Sequence, residues 1–426
     1  MKIVVKKSKL AGTVSIPGSK SHTIRAVAIA SLADGQSAIR NPLVSEDTLS
    51  AVDCYRALGA RINTTNEKMW EVGGTGGRLS VPEKIIDVGN SGTTLRIAVG
   101  SAALLDRGAT VTFTGDEQIR SRPIGPLLSA LKDLGANGRS VNNNGKPPVE
   151  ISGKLTGGAT SIEAVTSQYL SSLLMAAPLT SRDTIIDVPL LNEPDYVQMT
   201  LDWLNKQQIK YENNRMRSFR IEGGQKYKAF DESIPADFSS ATFFLCAAAI
   251  AGGDVTLTGL DFSDSQPDKA VVDYLRSMGA DISIAEAAVR IKGSKLTGTE
   301  IDMNRTPDAL PAMAVVGAFA AGATKLVNVA QARSKETDRI SCMAAELKKM
   351  GADVEELPDG LIIRNSRLEA ARLDGRSDHR IVMALALAGL AIEGQTVVDT
   401  AEAMNITFPD YVKLMKNLGA EMILVD

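Results

Sequence analysis

A tripeptide, Leu-Gly-Ala or Met-Gly-Ala, recurs along this 426-residue chain, each time at the end of an amphipathic stretch. The glycines of this tripeptide are Gly59, Gly135, Gly279, Gly351 and Gly419. They stand about 70 residues apart, except for one gap of about twice that length, and this spacing indicates an internal repeat. Within the long gap, the stretch LDWLNKQQIKYENN around Gln208 keeps the pattern without the glycine. The chain therefore contains six repeats.

Each repeat has the same order of predicted elements. A strand leads into an alanine-rich apolar helix such as AVAIASLA or FFLCAAAIA, and then a short strand, a polar-faced helix and closing strands follow. Glycine after the second helix suits the left-handed C′ position, where a Cβ would clash. The order βαβαββ predicts an α/β fold made of repeated units rather than an open doubly wound sheet.

Six repeats divide naturally into two lobes of three. The stretch KYKAFDESIPADFSS has no strong period and contains a proline, so we place a crossing between lobes there. We predict one lobe over residues 18–232 and a second over residues 1–17 plus 233–426. A two-strand hinge near 15–19 and 231–237 would join them. The opening strand, MKIVVKKSKLAGTVSIPG, resembles the end of a repeat and is expected to belong to the second lobe.

Charge and cysteine usage limit the classes of function. A formal net charge of −3 argues against a general nucleic-acid binder, although it allows a local basic pocket. Cys54, Cys246 and Cys342 lie far apart without CxxC spacing, which predicts neither a disulfide framework nor a zinc site. We find no apolar signal segment at the start and no apolar run long enough to span a bilayer. A reducing compartment, the cytoplasm, is expected.

The starts of the first helices are unusually polar or glycine-rich, at residues 17–25, 88–96, 165–172, 236–243, 306–313 and 376–383. A helix N-terminus exposes N–H groups and carries partial positive charge, so it attracts anions. Capping alone accounts for the serines, threonines and aspartates there. It does not account for cations in these first turns, which the helix dipole disfavours. These cations are Lys20, Arg25, Arg96 and Arg380.

Further cations, Arg120, Arg122, Lys335 and Arg339, lie near the starts of the second helices. Taken singly, each fits an ordinary surface charge. Together, at equivalent repeat positions, they predict a cleft between the lobes that binds a small polyanion with phosphate or carboxylate groups. The sequence has neither Walker spacing nor a GxGxxG fingerprint, which argues against a nucleotide site.

Two carboxylates accompany these cations. Asp308 lies in NRTPDALP, and Glu336 lies in ARSKETDR beside Lys335 and Arg339. The simple alternatives are a helix cap for Asp308 and a surface ion pair for Glu336. A carboxylate held against cations stays ionised at neutral pH, which suits a general base.

Eight motifs now identify a resemblance. PGSKSHTIRA, GNSGTTLR, RSRPIG, SQYLSSLLMAAPL, PDALPAMA, KETDR, DHR and TFPDY occur in this order. The chain resembles the 5-enolpyruvylshikimate-3-phosphate synthases, enolpyruvyl transferases, from about residue 3 to its C-terminus. The resemblance implies an inside-out α/β barrel fold with two lobes of three βαβαββ repeats each, in agreement with the repeat analysis.

The resemblance also implies roles for individual residues. The implied catalytic residues are Asp308 as the base at the shikimate 5-hydroxyl, Glu336 at the phosphoenolpyruvate methylene, and Lys20, which would touch both substrates. The implied shikimate 3-phosphate site comprises Lys20, Ser21, Arg25, Thr166, Ser167, Gln168, Asn192, Tyr196, Asp308, Gln331 and Lys335. The implied phosphoenolpyruvate site comprises Lys20, Asn90, Gly92, Arg122, Gln168, Arg339, His379 and Arg380.

Three positions depart from the family pattern. Ile406 stands where the family often has lysine before TFPDY, so one cation on the phosphoenolpyruvate side is missing or supplied elsewhere. The usual S-x-P-Y segment appears as NEPDY over 192–196, which makes Asn192 an uncertain match for the serine. Gln331 stands where asparagine is frequent and keeps the amide chemistry.

The implied reaction moves the enolpyruvyl group of phosphoenolpyruvate to the 5-hydroxyl of shikimate 3-phosphate by addition and elimination of phosphate, in aromatic amino-acid biosynthesis. No metal or cofactor is expected, and a monomer is the simplest state. One rival is the enolpyruvyl transferase acting on UDP-N-acetylglucosamine, which typically carries a cysteine in the loop matching TGDEQIRSRPIG. RNA 3′-phosphate cyclases share a similar repeat but not these motifs. A non-catalytic binder of phosphorylated metabolites remains open on the cations alone.

Overall fold

The computed structural model describes all residues from Met1 to Asp426 and divides into two compact units. The continuous lobe is Gly18–Ile234, and the split lobe is Met1–Pro17 together with Pro235–Asp426. The split lobe resumes at 235 rather than at the expected 233. The reason is that residues 231–233 form a strand paired with residues 38–40 of the continuous lobe.

The split lobe begins with two strands, β1 (Lys2–Lys6) and β2 (Ala11–Ser15). The elements of the continuous lobe follow in chain order: α1 (Lys20–Leu32), β3 (Gln36–Arg40), α2 (Glu46–Ala57), β4 (Arg61–Asn63), β5 (Met69–Gly73), β6 (Ile86–Asp87), α3 (Gly92–Ala102), β7 (Thr110–Thr114), α4 (Glu117–Ser121), α5 (Gly125–Asp133), β8 (Ala136–Ser140), β9 (Val149–Gly153), β10 (Gly158–Ala164), α6 (Ser167–Ala176), β11 (Thr184–Leu191), α7 (Pro194–Lys206), β12 (Tyr211–Asn214), β13 (Ser218–Ile221) and β14 (Asp231–Ser233).

The rest of the split lobe comprises α8 (Phe238–Ala251), β15 (Asp254–Thr258), α9 (Ala270–Ser277), β16 (Asp281–Ala285), β17 (Ala288–Lys292), β18 (Glu300–Asp302), α10 (Leu310–Phe319), β19 (Ala323–Val327), α11 (Arg339–Lys349), β20 (Asp353–Leu357), β21 (Gly360–Arg364), β22 (Arg372–Asp374), α12 (His379–Ala391), β23 (Gln395–Asp399), α13 (Met404–Thr407), α14 (Tyr411–Asn417) and β24 (Glu421–Val425). Short 3-10 helices occur at Ala177–Leu179, Pro267–Lys269, Pro307–Ala309, Ala330–Ser334 and Ala401–Ala403.

The strands form six four-stranded sheets with one shared plan. The orders are β14-β3-β5-β4, β6-β7-β9-β8 and β10-β11-β13-β12 in the continuous lobe, and β2-β15-β17-β16, β18-β19-β21-β20 and β22-β23-β1-β24 in the split lobe. In every sheet the first pair of strands is parallel and the next two pairs are antiparallel. This identity of plan is the structural counterpart of the six sequence repeats.

The segment expected to be one opening strand is in fact two strands that serve different sheets of the split lobe. β2 leads the fourth repeat by pairing in parallel with β15. β1 lies between β23 and β24, where it takes the place of a closing strand of the sixth repeat. In the continuous lobe, β14 plays the leading role for the first repeat by pairing with β3.

The repeated glycines adopt the backbone conformation that their position demands. Their φ angles are 105° at Gly59, 103° at Gly135, 96° at Gly279, 89° at Gly351 and 96° at Gly419. The degenerate repeat has Gln208 at this position, and its φ is 58°, also left-handed. Glycine adopts this conformation with little steric cost, which explains its recurrence after the second helix.

Two separate hydrophobic cores, one in each lobe, explain the two helix types. The first helices of the repeats are buried along nearly their whole length, as in α8 and α12, so their sequences are apolar on all faces. Second helices such as α7 and α9 bury one face only and keep polar residues on the other. No helix is long and apolar enough to cross a membrane.

Candidate functional site

In the split lobe, one buried arginine gathers three carboxylates. Arg339 is the first residue of α11, and its side chain is 1% exposed. Its Nη1 donates to Asp308 Oδ1 at 2.8 Å and its Nε donates to Asp378 Oδ2 at 2.9 Å, while Nη2 donates to Glu336. Such partners offset the cost of removing a guanidinium from water. Asp308, Lys335, Glu336, Arg339, Asp378 and Arg380 are called the Arg339 cluster below.

Asp308 also faces two further cations. It lies in the 3-10 helix Pro307–Ala309 directly before α10. Its Oδ2 is 3.2 Å from Arg380 Nη2, and its Oδ1 is 3.9 Å from Lys335 Nζ. Burial alone would raise the pKa of Asp308, but Arg380, Lys335 and Arg339 together hold that pKa well below its usual value. The carboxylate is therefore ionised at neutral pH.

This depressed pKa predicts a stability difference that depends on pH. A carboxylate whose pKa is lower in the folded than in the unfolded chain stabilises the fold above the unfolded pKa, about 3.9, and loses that contribution as the pH falls. We expect wild type to exceed Asp308→Asn in stability by more at pH 6 than at pH 3.5. Urea unfolding at both pH values measures this, and a difference independent of pH would contradict it.

Asp378 ties the starts of α11 and α12 together. It is the N-cap of α12 and accepts a 2.9 Å hydrogen bond from the backbone N–H of Arg380, while its carboxylate also holds Arg339. Thr337 Oγ1 donates to it at 3.0 Å. Burial would raise the pKa of Asp378, but the Arg339 guanidinium lowers it. The neighbouring His379 is buried, with Nδ1 3.9 Å from Asp378 Oδ1.

Two further residues singled out from the sequence lie outside the Arg339 cluster. Gln331 lies in the 3-10 helix Ala330–Ser334, and its Nε2 donates to the Asn304 carbonyl at 2.9 Å. Ile406 lies in α13 and packs against the hydrophobic core. The structure places no group of three or more His, Cys, Asp or Glu side chains that could hold a metal ion.

In the continuous lobe, Lys20 is the first residue of α1 and is largely buried. Its Nζ lies 2.9 Å from Asp47 Oδ2, and the two side chains are 15% and 6% exposed. Asp47 belongs to the first turn of α2. Asp47 offsets the unfavourable placement of a cation at a helix start, and it holds the ammonium group of Lys20 near the N-terminus of α1.

Arg25, one turn further along α1, is held by four acceptors. Nη1 donates to the Ser21 carbonyl at 3.0 Å and Nε to Thr200 Oγ1 at 2.9 Å. Nη2 donates to the Tyr196 carbonyl at 3.0 Å and to Ser171 Oγ at 3.3 Å. Burial among these mostly neutral groups lowers the pKa of Arg25 to about 10. The guanidinium stays charged at neutral pH and links α1, α6 and α7.

Gly92 allows two arginines to approach the start of α3. A Cβ at this position would lie 2.6 Å from Nη1 of both Arg96 and Arg122. Both arginines are buried, at 2% and 6% exposure, and Arg96 Nη2 donates to the Pro123 carbonyl. Any side chain larger than hydrogen would displace these guanidinium groups, which explains the glycine in GNSGTTLR.

Two amides lie around the same helix start. Asn90 Nδ2 donates to Asp116 Oδ2 at 2.6 Å and to Gln118 Oε1 at 2.7 Å. Gln168, in the first turn of α6, donates from Nε2 to Thr93 Oγ1 at 3.2 Å, and no protein group donates to its buried Oε1. Gln168 therefore connects the starts of α3 and α6.

The start of α6 holds an unexpected partner. Thr166 is the N-cap and Ser167 the first residue of α6. Glu193 Oε2 accepts from Ser167 Oγ at 2.7 Å, from the Ser167 N–H at 3.2 Å and from Thr166 Oγ1 at 3.4 Å. Asn192, the uncertain match for the family serine, instead donates from Nδ2 to the Val165 carbonyl at 3.2 Å.

The predicted residues of the split lobe include one contiguous set, because contacts join Asp308, Lys335, Glu336, Arg339 and Arg380, with His379 beside Asp378. In the continuous lobe the contacts are local: Arg25 joins α1 to α6 and α7, Gln168 joins α6 to α3, and Gly92 lies against Arg122.

Sequence reasoning assigned no role to three carboxylates. Asp378 is part of the quoted DHR motif, and its N-cap position could have indicated its role. Glu193 stands three residues before Tyr196, which is the serine-to-tyrosine spacing of S-x-P-Y. No sequence signal distinguishes Asp47 from an ordinary acidic residue in the first turn of a helix.

The sequence matches one protein family and its members along nearly its whole length. Residues 4–415 match the family model for EPSP synthase (3-phosphoshikimate 1-carboxyvinyltransferase). A 3-phosphoshikimate 1-carboxyvinyltransferase of Acetivibrio thermocellus is 57% identical over 422 residues, 99% of each chain. One of Ruminiclostridium cellulolyticum is 54% identical over 425 residues, 100% of each chain.

A solved structure agrees with the sequence relatives. EPSP synthase from Acinetobacter baumannii superimposes with a TM-score of 0.84 at 26% identity, and the match covers 100% of both chains. The predicted fold class and the predicted resemblance are confirmed by these matches. The chain belongs to the EPSP synthase (3-phosphoshikimate 1-carboxyvinyltransferase) family.

Proposed function

We propose that this chain transfers the enolpyruvyl group of phosphoenolpyruvate to the 5-hydroxyl of shikimate 3-phosphate, and releases phosphate, as a step of aromatic amino-acid biosynthesis. The full-length relatives carry this activity in their names. The single observation in the molecule that supports it best is the Arg339 cluster. One guanidinium holds two candidate proton-transfer groups, Asp308 and Glu336, beside further cations.

The addition step needs a base and an acid. Asp308 would accept the proton of the 5-hydroxyl group while the oxygen of that hydroxyl group forms a bond to C2 of phosphoenolpyruvate. Glu336, in its protonated form, would deliver a proton to C3 and become ionised, which gives a tetrahedral ketal phosphate. Asp308 is suited to the first role because its cationic partners keep it ionised. Those same partners weaken it as a base, and bound substrate anions would offset their charge and restore its basicity.

The elimination step needs positive charge at the departing phosphate. Glu336 would take a proton back from C3 as the bond between C2 and the phosphate oxygen breaks, which restores the vinyl group. Lys20 and Arg122 in the continuous lobe, with Arg339 and Arg380 in the split lobe, are our candidates for stabilising the phosphate. Each of the four side chains is already held by groups of its own surroundings, which limits the reorganisation of that side chain.

The substrate assignments rest on the family resemblance. We assign shikimate 3-phosphate to the groups around the starts of α1 and α6, with Lys20, Ser21, Arg25, Thr166, Ser167, Gln168, Tyr196, Asp308, Gln331 and Lys335. We assign phosphoenolpyruvate to Lys20, Asn90, Gly92, Arg122, Gln168, Arg339, His379 and Arg380. The buried arginines around Gly92 support the second assignment, because they place two guanidinium groups at a helix start that already attracts anions.

Inorganic phosphate release tests the function. Purified protein is mixed with phosphoenolpyruvate and shikimate 3-phosphate together, with each alone, and with phosphoenolpyruvate plus UDP-N-acetylglucosamine. We expect release only with the first pair. Release with the nucleotide sugar would favour the other enolpyruvyl transferase, and binding of both substrates without release would favour a non-catalytic binder.

We also propose that the protein acts as a monomer in the cytoplasm. Its three cysteines are all unpaired, and two of them are fully buried, which suits a reducing compartment. The monomer rests on the family resemblance, and sedimentation equilibrium measures it directly.

A further inference from the structure

Glu193 stands out among the carboxylates of the continuous lobe. It is 1% exposed, and it is the N-cap of α7 in a left-handed backbone conformation, with φ 58° and ψ 50°. Its side chain does not cap its own helix. It reaches instead to the N-terminus of α6, where it accepts three hydrogen bonds from Thr166 and Ser167. An internal anion therefore occupies a helix start that would otherwise be available to an external one.

The hydroxyl groups that donate to Glu193 are the ones to which the proposed function assigns the substrate phosphate. We have assigned the phosphate of shikimate 3-phosphate to the hydroxyl groups of Thr166 and Ser167. Both hydroxyls and the Ser167 N–H point to one oxygen, Glu193 Oε2. A phosphate in the same place would lose these donors to the carboxylate and would also face its negative charge at short range. The carboxylate and the phosphate cannot both occupy this position.

The surrounding backbone limits how the conflict can be resolved. The Asn192 N–H donates to the Ala164 carbonyl at 3.0 Å, and its side chain donates to the Val165 carbonyl. These bonds fasten the end of β11 to the residues that lead into α6. Displacement of the Glu193 carboxylate from the start of α6 without loss of these two hydrogen bonds therefore requires rotation of the Glu193 side chain.

We propose that Glu193 is a specificity-determining residue, whose carboxylate competes with the phosphate of shikimate 3-phosphate for the N-terminus of α6 and must be displaced when that substrate binds. This inference rests on the proposed function, because it uses the assignment of the phosphate to Thr166 and Ser167. Its consequence is a weaker hold on the phosphate than a serine at this position would give, and a smaller preference for phosphorylated over unphosphorylated shikimate.

Substitution of Glu193 separates its charge from its shape. Glu193→Gln keeps the size and one acceptor oxygen but removes the charge, and Glu193→Ser removes both. Glu163→Gln is the matched control, because Glu163 is an exposed carboxylate on the neighbouring strand β10. Calorimetry gives the dissociation constants for shikimate 3-phosphate, for unphosphorylated shikimate and for inorganic phosphate alone, and thermal unfolding checks that each variant is folded.

We expect both Glu193 variants to bind shikimate 3-phosphate and inorganic phosphate at least about tenfold more tightly than wild type. The dissociation constant for unphosphorylated shikimate should change by less than about twofold, because only a phosphate group is repelled by the carboxylate. The Glu163 control should match wild type. Equal or weaker phosphate binding in folded Glu193→Gln, or a parallel change for shikimate, would overturn the proposal. Phosphate release by the wild-type preparation is measured alongside. If wild type catalyses release and Glu193→Gln gains no affinity, only this inference fails; if wild type catalyses none, the proposed function fails.

Discussion

Replacing Arg339 by methionine is expected to destabilise the protein by about 3–5 kcal/mol, the usual cost of removing one partner from a buried ion pair. The arginine side chain is 1% exposed and serves Asp308, Glu336 and Asp378 at once. Methionine has a similar length and fills much of the space, so the loss is mainly electrostatic. Urea unfolding followed by circular dichroism measures the free energy of unfolding.

Arg364→Met is the matched control for this experiment. Arg364 also pairs with two carboxylates, Asp353 at 3.2 Å and Glu355 at 3.0 Å, but its side chain is 43% exposed. Water already solvates all three groups, so a much smaller loss is expected. An equal decrease in the free energy of unfolding for the two variants would show that Arg339 does not offset the cost of burying its three carboxylates.

Asp308→Asn is expected to lower the turnover number by about 10²- to 10⁴-fold while the protein still binds both substrates, because the variant loses a general base but no cation. Asparagine preserves the shape of the side chain and can still accept hydrogen bonds from Arg339 and Arg380. The phosphate released at fixed times gives the turnover number, and calorimetry gives the affinity for shikimate 3-phosphate.

Asp302→Asn serves as the control for Asp308, since it removes an exposed carboxylate at the end of β18 in the same repeat. Turnover close to wild type is expected for this variant. If Asp308→Asn retained full turnover, the base would have to be sought elsewhere. If it lost binding and turnover together, the aspartate would act in substrate binding rather than in proton transfer.

Much of the architecture could be predicted because it depends on local rules. The glycine after each second helix is required by a left-handed backbone, and the apolar first helices are required by burial on all sides. The six repeats therefore appear in the sequence itself. The placement of β1 between β23 and β24 could not be predicted in this way, because no local pattern selects strand partners that lie about 390 and about 420 residues away.

The candidate site was predictable to a similar degree. Cations at helix starts break a local preference and can therefore be recognised, as Lys20 and Arg380 were. Their partners cannot be recognised so easily, because acidic residues are common in first turns and caps. Asp47, Glu193 and Asp378 acquire their roles only when folding brings another helix start to them.

The position of β1 also sets an order of events during synthesis. The residues of the continuous lobe have all been made before Pro235 is added, so that lobe can fold on the ribosome while the rest of the chain is still being translated. The split lobe cannot complete its folding in this way, because it contains β1 as well as residues after Pro235. Ile3 pairs with both Val398 and Leu424, so β1 has no partners in its sheet until β23 and β24 have been translated. The sheet of β22, β23, β1 and β24 can therefore form only after β24 has been translated.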